Sequence, residues 1–251
     1  VYDSCLVNAV APESIDAQTI RIVRTALMFA SNDDDAGQAI QFTSPTPSDG
    51  ASLIAGNVAV ALASAGKRVV LLDADLRRPS LDKLLGVQAG TGLAELLDDK
   101  ANLPDVLCAT GIENLELLPS GSCPTNPAEL LSMPRFVELL DTLRDQFDFV
   151  IVDTPPLLAV SDPLSVAQHV NGVVLVVPIK PDSIPAAEHS VRLLDRFEAK
   201  VIGTVVNDLE DRWANSGNRL AYRYAQAHAS YAEAQPVGEE LAATGTNGQT
   251  R

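Results

Sequence analysis

Positive charge is scarce in this chain of 251 residues, in which 18 lysine and arginine residues stand against 33 aspartate and glutamate residues. The resulting formal net charge is -15. Nucleic acids and anionic lipid surfaces are bound mainly through basic patches, so the composition argues against either as the main partner. Aromatic residues are also few, at 4%, although 46% of the residues are hydrophobic. This balance is typical of a parallel sheet whose core is built from Ala, Val and Leu.

Cysteine patterns and long apolar runs are absent as well. The three cysteines, Cys5, Cys108 and Cys123, are odd in number, far apart and without CxxC spacing. We interpret them as reduced thiols rather than as a disulfide framework or a zinc site. The sequence contains no run of about eighteen apolar residues and no signal-peptide pattern, so it predicts no membrane span. The chain begins with Val1 rather than Met, which we interpret as the sign of a part of a longer protein.

The most informative stretch is VVLLDADLRRP, residues 69–79. Its four leading apolar residues predict a strand that is buried on both faces, and Asp73, Asp75, Arg77 and Arg78 follow directly. Ligands of open α/β sheets bind at the carboxyl ends of the strands. Two carboxylates there suit a hydrated Mg²⁺, and the arginines suit phosphate oxygens. The alternative is a strand that ends in a solvated polar loop.

The segment before this strand predicts a short strand, a tight loop and a helix over residues 52–65. Such a unit places the loop where it can wrap a phosphate at a helix N-terminus. A phosphate-binding loop follows the pattern GxxxxGK[ST], in which the lysine contacts the β- and γ-phosphates and the hydroxyl binds Mg²⁺. Gly50 and Ser52 occupy their places in this pattern, but Ala51 stands at the lysine position.

A second buried strand is predicted over residues 149–152, and Asp153 follows it. A carboxylate at this strand end suits a group that orients Mg²⁺ or water. We predict that Asp162, nine residues later, caps the N-terminus of a helix. The last predicted strand ends at Asn207. Strands and helices alternate through five or six units, which predicts an α/β fold with a doubly wound, mostly parallel sheet flanked by helices.

Both ends of the chain differ from this α/β domain, which we assign to residues 13–211. Residues 1–12 show no hydrophobic period and are predicted to form a loose N-terminal arm. Residues 212–251 are predicted to form an acidic, flexible tail. Three tyrosines lie in this tail, either as accessible hydroxyls or as one face of a short helix: Tyr222, Tyr224 and Tyr231.

Residues 14–30 are predicted to form an amphipathic helix with Arg21 and Arg24 one turn apart on its outer face. These arginines are either a solvated basic edge or a contact with a neighbouring subunit.

Taken together, these motifs resemble the bacterial tyrosine kinases of capsule and exopolysaccharide synthesis, P-loop proteins that phosphorylate their own C-terminal tyrosine cluster. The resemblance runs from about residue 14 to residue 207. Residues 70–77 match the second Walker motif of that family, an apolar strand followed by DxDxR. Residues 150–156 match its Walker B motif, an apolar strand followed by DxxP. The intervening LPSGSCPTNPAELL, residues 118–131, is similar to the link between these halves.

The resemblance implies a site for ATP or ADP with Mg²⁺, in a P-loop NTPase-like fold. The catalytic residues that it implies are Asp73, Asp75 and Asp153. The implied metal ligands are Ser52, Asp75 and Asp153. The implied nucleotide contacts are Pro47, Ser48, Asp49, Gly50, Ala51, Ser52, Arg77 and Asn207. The implied phosphate acceptors are Tyr222, Tyr224 and Tyr231, and the implied oligomer contacts are Arg21 and Arg24.

The resemblance also implies a cellular setting. The partner would be a membrane polysaccharide co-polymerase, a chain-length determinant protein, or a membrane part of the same protein. The domain would lie in the cytoplasm at the inner face of the cell membrane and could form a homo-oligomer, without a nucleic-acid partner.

The sequence departs from the family pattern at Ala51, where the lysine is missing, and at Ser48 and Asp49, where the family has Gly and Glu. In the helix motif ExxRxxR, Gln18 replaces the acidic residue. Three hypotheses therefore stay open. The chain is an autokinase of low activity, or a catalytically impaired member that acts as a structural or nucleotide-sensing adaptor. The third is a partitioning-type ATPase, for which we expect a lysine early in the loop and a basic or amphipathic surface, neither of which is evident.

Overall fold

A seven-stranded sheet organises the computed structural model, which describes residue 3, residues 5–30 and residues 37–207. Its strand order is β3-β4-β2-β5-β1-β6-β7, and every neighbouring pair is parallel except β3 with β4. This confirms the predicted doubly wound α/β fold. The strands are β1 (Gln38–Thr43), β2 (Val69–Asp73), β3 (Cys108–Ala109), β4 (Leu115–Leu118), β5 (Phe149–Asp153), β6 (Gly172–Pro178) and β7 (Val201–Asn207).

Helices cover both faces of this sheet. In the described part of the chain they are α1 (Val7–Val10), α2 (Ile15–Ala30), α3 (Ala51–Ser64), α4 (Leu81–Leu84), α5 (Leu93–Leu97), α6 (Leu103–Val106), α7 (Pro127–Leu131), α8 (Pro134–Gln146), α9 (Asp162–Ala167) and α10 (Ser183–Arg196). Proline stands at the first position of α8, where the missing N–H costs nothing. None of the helices described is long and apolar enough to cross a membrane.

Strands β2 and β5 are apolar up to their terminal aspartates because they are buried on both faces. In β2, Val69 and Leu71 belong to the core that contains α3, whereas Val70 and Leu72 belong to the core on the other face, with α5 and α8. Successive side chains of a strand point to opposite faces, so four consecutive apolar residues supply both cores. This arrangement leaves only the end of β2 for polar chemistry.

The N-terminal segment differs from the predicted loose arm. Leu6 is fully buried in the core beside α3. On α3, the Asn57 side chain donates a hydrogen bond of 2.9 Å to the carbonyl oxygen of Cys5. The backbone N–H of Asn8 in turn donates to Asn57 Oδ1 over 3.4 Å. One buried leucine and one helix asparagine therefore hold a segment whose sequence shows no period, and the prediction was wrong for its described residues.

Candidate functional site

The loop between β1 and α3 keeps a sharp turn despite its unusual sequence. Gly50 has a φ of 95°, and Ser48 has a φ of 65°. Glycine adopts this left-handed region freely, whereas a serine there costs roughly 1–2 kcal/mol. Ser48 stands where the resembled family has glycine, so the turn has been retained without the residue that favours it.

The carboxylate of Asp49 holds the loop from within. Asp49 is 1% exposed, and its Oδ2 accepts hydrogen bonds of 2.8 Å from both the backbone N–H and the hydroxyl of Thr46. Lys180, after β6, places its ammonium 3.3 Å from Asp49 Oδ1. The side chain of Asn207 donates to the Asp49 carbonyl oxygen over 3.0 Å. The structure therefore places the predicted Asn207 beside the loop and adds Lys180, which no sequence motif indicated.

A cleft with a volume of about 500 Å³ opens beside this loop. Such a volume lies in the range of small-molecule sites. Gly50 precedes the first turn of α3, and no side chain caps that turn. The free N–H groups of a helix N-terminus favour an anion. The cleft brings together these predicted site residues: Pro47, Ser48, Asp49, Gly50, Ala51, Ser52 and Asp75.

Asp73 shapes one wall of the cleft rather than facing its interior. Its Oδ1 accepts from the backbone N–H of Asp75 over 3.2 Å. Its Oδ2 accepts from the backbone N–H groups of Ser80 and Leu81, each over 3.1 Å. Burial raises the pKa of Asp73 to about 7, although these backbone hydrogen bonds lower it. This predicted catalytic residue thus fixes the β2–α4 loop.

Asp153 is a buried carboxylate in which neither oxygen has a hydrogen-bond partner. It is fully buried at the end of β5. Burial, followed by the charge of Asp73, raises its pKa well above the usual range, whereas the nearby Ser52 hydroxyl and the Thr154 backbone N–H lower it. A buried carboxylate without a donor is costly and calls for an explanation such as a cation.

Asp75 faces the cleft from the β2–α4 loop. Its Oδ1 accepts from the backbone N–H groups of Arg78 and Arg77 over 2.9 and 3.2 Å. Burial raises its pKa more than these bonds lower it. Within the described ranges, no group of three or more His, Cys, Asp or Glu side chains could hold a metal. Mg²⁺ needs no such cage, because it usually binds one or two carboxylates together with phosphates and water, and Ser52, Asp75 and Asp153 offer the hard oxygens it prefers.

Arg77 is bound by a carboxylate, so its predicted contact with a phosphate would require it to leave this partner and stays a prediction. Its Nε and Nη2 donate to the two carboxylate oxygens of Asp162 over 2.7 and 3.0 Å. Asp162 is fully buried, and it is the first residue of α9, preceded by Ser161 at the capping position. The predicted capping role of Asp162 was therefore wrong, because its carboxylate binds a guanidinium 85 residues away. Arg78 lines the cleft instead.

The other predicted residues lie away from the cleft or beyond the described ranges. The Arg21 guanidinium donates to the carbonyl oxygen of Pro12, and Arg24 Nη1 donates to that of Ala61 over 3.5 Å. Both contacts are within the chain, so an oligomer contact stays a prediction. The predicted phosphate acceptors lie outside the described residues: Tyr222, Tyr224 and Tyr231.

Comparisons with known proteins agree with the fold and with the family resemblance. A family model described as ParA, NUBPL iron-transfer P-loop NTPase, matches residues 40–236. The putative tyrosine-protein kinase EpsB of Ralstonia solanacearum is 35% identical over 218 residues, which are 86% of this chain and 29% of EpsB. The tyrosine-protein kinase YwqD of Bacillus subtilis is 35% identical over 78% of this chain and 82% of its own length.

Among solved structures, the chimerical protein CapA2B2 superposes with a TM-score of 0.77 and 35% identity, covering 82% of this chain and 91% of CapA2B2. The chain thus spans most of YwqD and of CapA2B2 but only 29% of the length of EpsB.

Proposed function

This chain belongs to the bacterial tyrosine kinase family within the P-loop NTPases, and from that premise we propose that it binds ATP with Mg²⁺ and phosphorylates tyrosine slowly. The observation that supports this proposal best is the carboxylate of Asp153. It is buried, receives no hydrogen bond on either oxygen and lies beside Ser52, which lines the cleft. A divalent cation would give this carboxylate its missing partner.

Each wall of the cleft has a separate role in this proposal. The first turn of α3 and Gly50 offer backbone N–H groups to the phosphates. Ser52, Asp75 and Asp153 would hold Mg²⁺, which supplies positive charge to the phosphate oxygens when bound. Asp75 faces the cleft and can accept the proton of a tyrosine hydroxyl. Asn207, which is hydrogen-bonded to the loop, would contact the nucleoside.

The alanine at position 51 affects binding and turnover to different degrees. One lost charged hydrogen bond to phosphate costs about 1.5–3 kcal/mol, which weakens binding roughly tenfold to a hundredfold. A cation that stabilises the transferring phosphoryl group contributes on the order of a thousandfold or more to the rate, by analogy with arginine fingers. We therefore expect measurable nucleotide binding and slow phosphoryl transfer.

A second candidate function is nucleotide sensing without turnover, and Ala51 is the observation that favours it. In that case the domain would serve as an adaptor that responds to bound nucleotide. A partitioning-type ATPase is not favoured, because the relatives that match over most of the chain are named tyrosine kinases and residues 44–52 contain no lysine. The match to the ParA family model is explained by the shared P-loop fold.

The cellular role that we propose is control of capsule or exopolysaccharide synthesis. The domain would act in the cytoplasm at the inner face of the membrane, through a polysaccharide co-polymerase or through a membrane part of a longer polypeptide. The net charge of -15 makes nucleic acid an unsuitable partner. Self-association through Arg21 and Arg24 is part of the same proposal.

A titration with labelled ATP, with and without Mg²⁺, followed by mass spectrometry for phosphotyrosine, tests the proposal. We expect saturable binding that requires Mg²⁺, and slow phosphorylation that Asp153→Asn removes. Asp195→Asn, an exposed aspartate on α10, is the matched control and should behave as the natural chain. Binding without phosphotyrosine would favour the sensing function, and no binding in either condition would contradict both.

A further inference from the structure

Two cationic side chains, Arg78 and Lys83, line the same cleft as Gly50, Ala51 and Ser52. Both come from the β2 side of the cleft, Arg78 from the loop after the strand and Lys83 from α4. Neither belongs to the phosphate-binding loop. The cleft therefore has positive charge on one wall although the lysine position of its loop is occupied by alanine.

These two cations differ from the others near the site because, among the described residues, neither is held by a carboxylate at ion-pair distance, although the charge of Arg78 lowers the pKa of Asp75. Arg77 is bound by Asp162, and Lys180 is paired with Asp49. Across the part of the chain that the structure describes, neither Arg78 nor Lys83 forms a side-chain ion pair. Both residues are exposed, so their charged ends are available to a ligand.

The backbone beneath these cations is held in place by the site's own carboxylates. Asp75 Oδ1 accepts from the Arg78 N–H over 2.9 Å. The backbone N–H groups of Ser80 and Leu81, at the start of α4, both donate to Asp73. Asp73 and Asp75 thus fix the positions from which the long side chains of Arg78 and Lys83 extend.

If the cleft binds a triphosphate, cationic side chains such as these are needed to balance the negative charge. Asp75 and Asp153 stand near the loop, and an ATP molecule carries several negative charges of its own. One Mg²⁺ ion alone leaves much of this charge uncompensated. Flexible cations that approach from outside the loop can compensate it without a lysine in the loop.

We propose that Arg78 and Lys83 bind the terminal phosphates of the ligand and replace the positive charge that Ala51 cannot supply. This inference rests on the proposed function, because it assigns two further binding residues to the same cleft. It makes the β2–α4 segment, instead of the first turn of α3, the source of the cation. The ligand class that such a site recognises is a polyphosphate chain, whether free or part of a nucleotide.

The test measures the affinity of Mg-ATP and of inorganic tripolyphosphate for the natural chain, Arg78→Ala, Lys83→Ala and the double variant. We expect a loss of roughly tenfold in affinity for each single change, and a larger loss in the double variant. Arg192→Ala removes an exposed arginine of α10 that pairs with Glu188, and it serves as the matched control. In an Ala51→Lys background the cost of Arg78→Ala should shrink, because the two cations then act on the same phosphates.

The two ligands separate this inference from the proposed function. If the natural chain binds Mg-ATP and the double variant binds it equally well, the inference is overturned and the function stands. If the chain binds tripolyphosphate but not ATP, and the double variant loses this binding, the function fails and the inference stands. If neither ligand binds the natural chain, both are overturned.

Discussion

Asp73 lies opposite Asp153 in the register of the parallel strands β2 and β5, and both carboxylates are buried. Burial raises the pKa of both carboxyl groups, and the charge of Asp73 raises the pKa of Asp153 further. The folded chain therefore holds protons at this pair that the unfolded chain releases near pH 4. A cation bound between these strand ends and the phosphates of a nucleotide would instead favour the ionised form of both carboxylates.

The first prediction concerns stability as a function of pH. The pKa values of Asp73 and Asp153 are raised in the folded state, so both groups stabilise the fold while they are protonated. Their contribution to the free energy of unfolding is complete below about pH 4 and is lost as the pH rises through about 7, where Asp73 ionises in the folded chain. Urea unfolding of the ligand-free chain should give a lower free energy at pH 7.5 than at pH 5. In Asp153→Asn this difference should shrink, because the second buried charge is gone. If the free energy of unfolding depended equally steeply on pH in both proteins, Asp153 would not be part of the effect.

The second prediction concerns Asp75. Asp75→Asn should weaken Mg-ADP binding at least tenfold and leave the fold intact, because an amide oxygen can still accept the N–H groups of Arg77 and Arg78. Calorimetry with Mg-ADP measures this, with Asp195→Asn as the control for loss of one carboxylate. An unchanged affinity of Asp75→Asn for Mg-ADP would mean that Asp75 does not bind the metal.

The third prediction separates the two neighbouring arginines. Arg77→Ala leaves Asp162 buried without a partner and should lower the free energy of unfolding by about 3 kcal/mol. Arg192→Ala breaks only an exposed pair and should cost less than 1 kcal/mol. Nucleotide affinity should stay unchanged in folded Arg77→Ala. A loss of affinity as large as that of Arg78→Ala would show that Arg77 leaves Asp162 to bind phosphate.

Much of the fold and part of the site could be predicted from local sequence. Apolar runs followed by aspartates gave β2 and β5, because strands buried on both faces can place polar groups only at their ends. The pairing of Arg77 with Asp162 could not be predicted, because it joins residues that are distant in the chain. The same holds for Lys180 at Asp49. At Leu6, tertiary packing fixes a segment without any local hydrophobic period.

The fourth prediction concerns the tail tyrosines. Protein isolated from its native host should carry phosphate on Tyr222, Tyr224 or Tyr231. Each phosphate adds about -1.5 to -2 charges to an already acidic segment and should oppose self-association by repulsion. Phosphopeptide mass spectrometry identifies the modified residues. Phosphate confined to other residues, or absent throughout, would contradict the assignment of these acceptors.

The most direct test of the account is the measurement of tyrosine phosphorylation and Mg-ATP affinity in Ala51→Lys. Ala51 begins α3 and lines the cleft, so a lysine side chain there can extend toward the phosphates. The account predicts tighter binding, and turnover that rises by orders of magnitude over the natural chain. Ala51→Lys combined with Asp153→Asn should lose that gain. A folded Ala51→Lys protein with neither tighter binding nor faster turnover would mean that the loop no longer accepts a triphosphate.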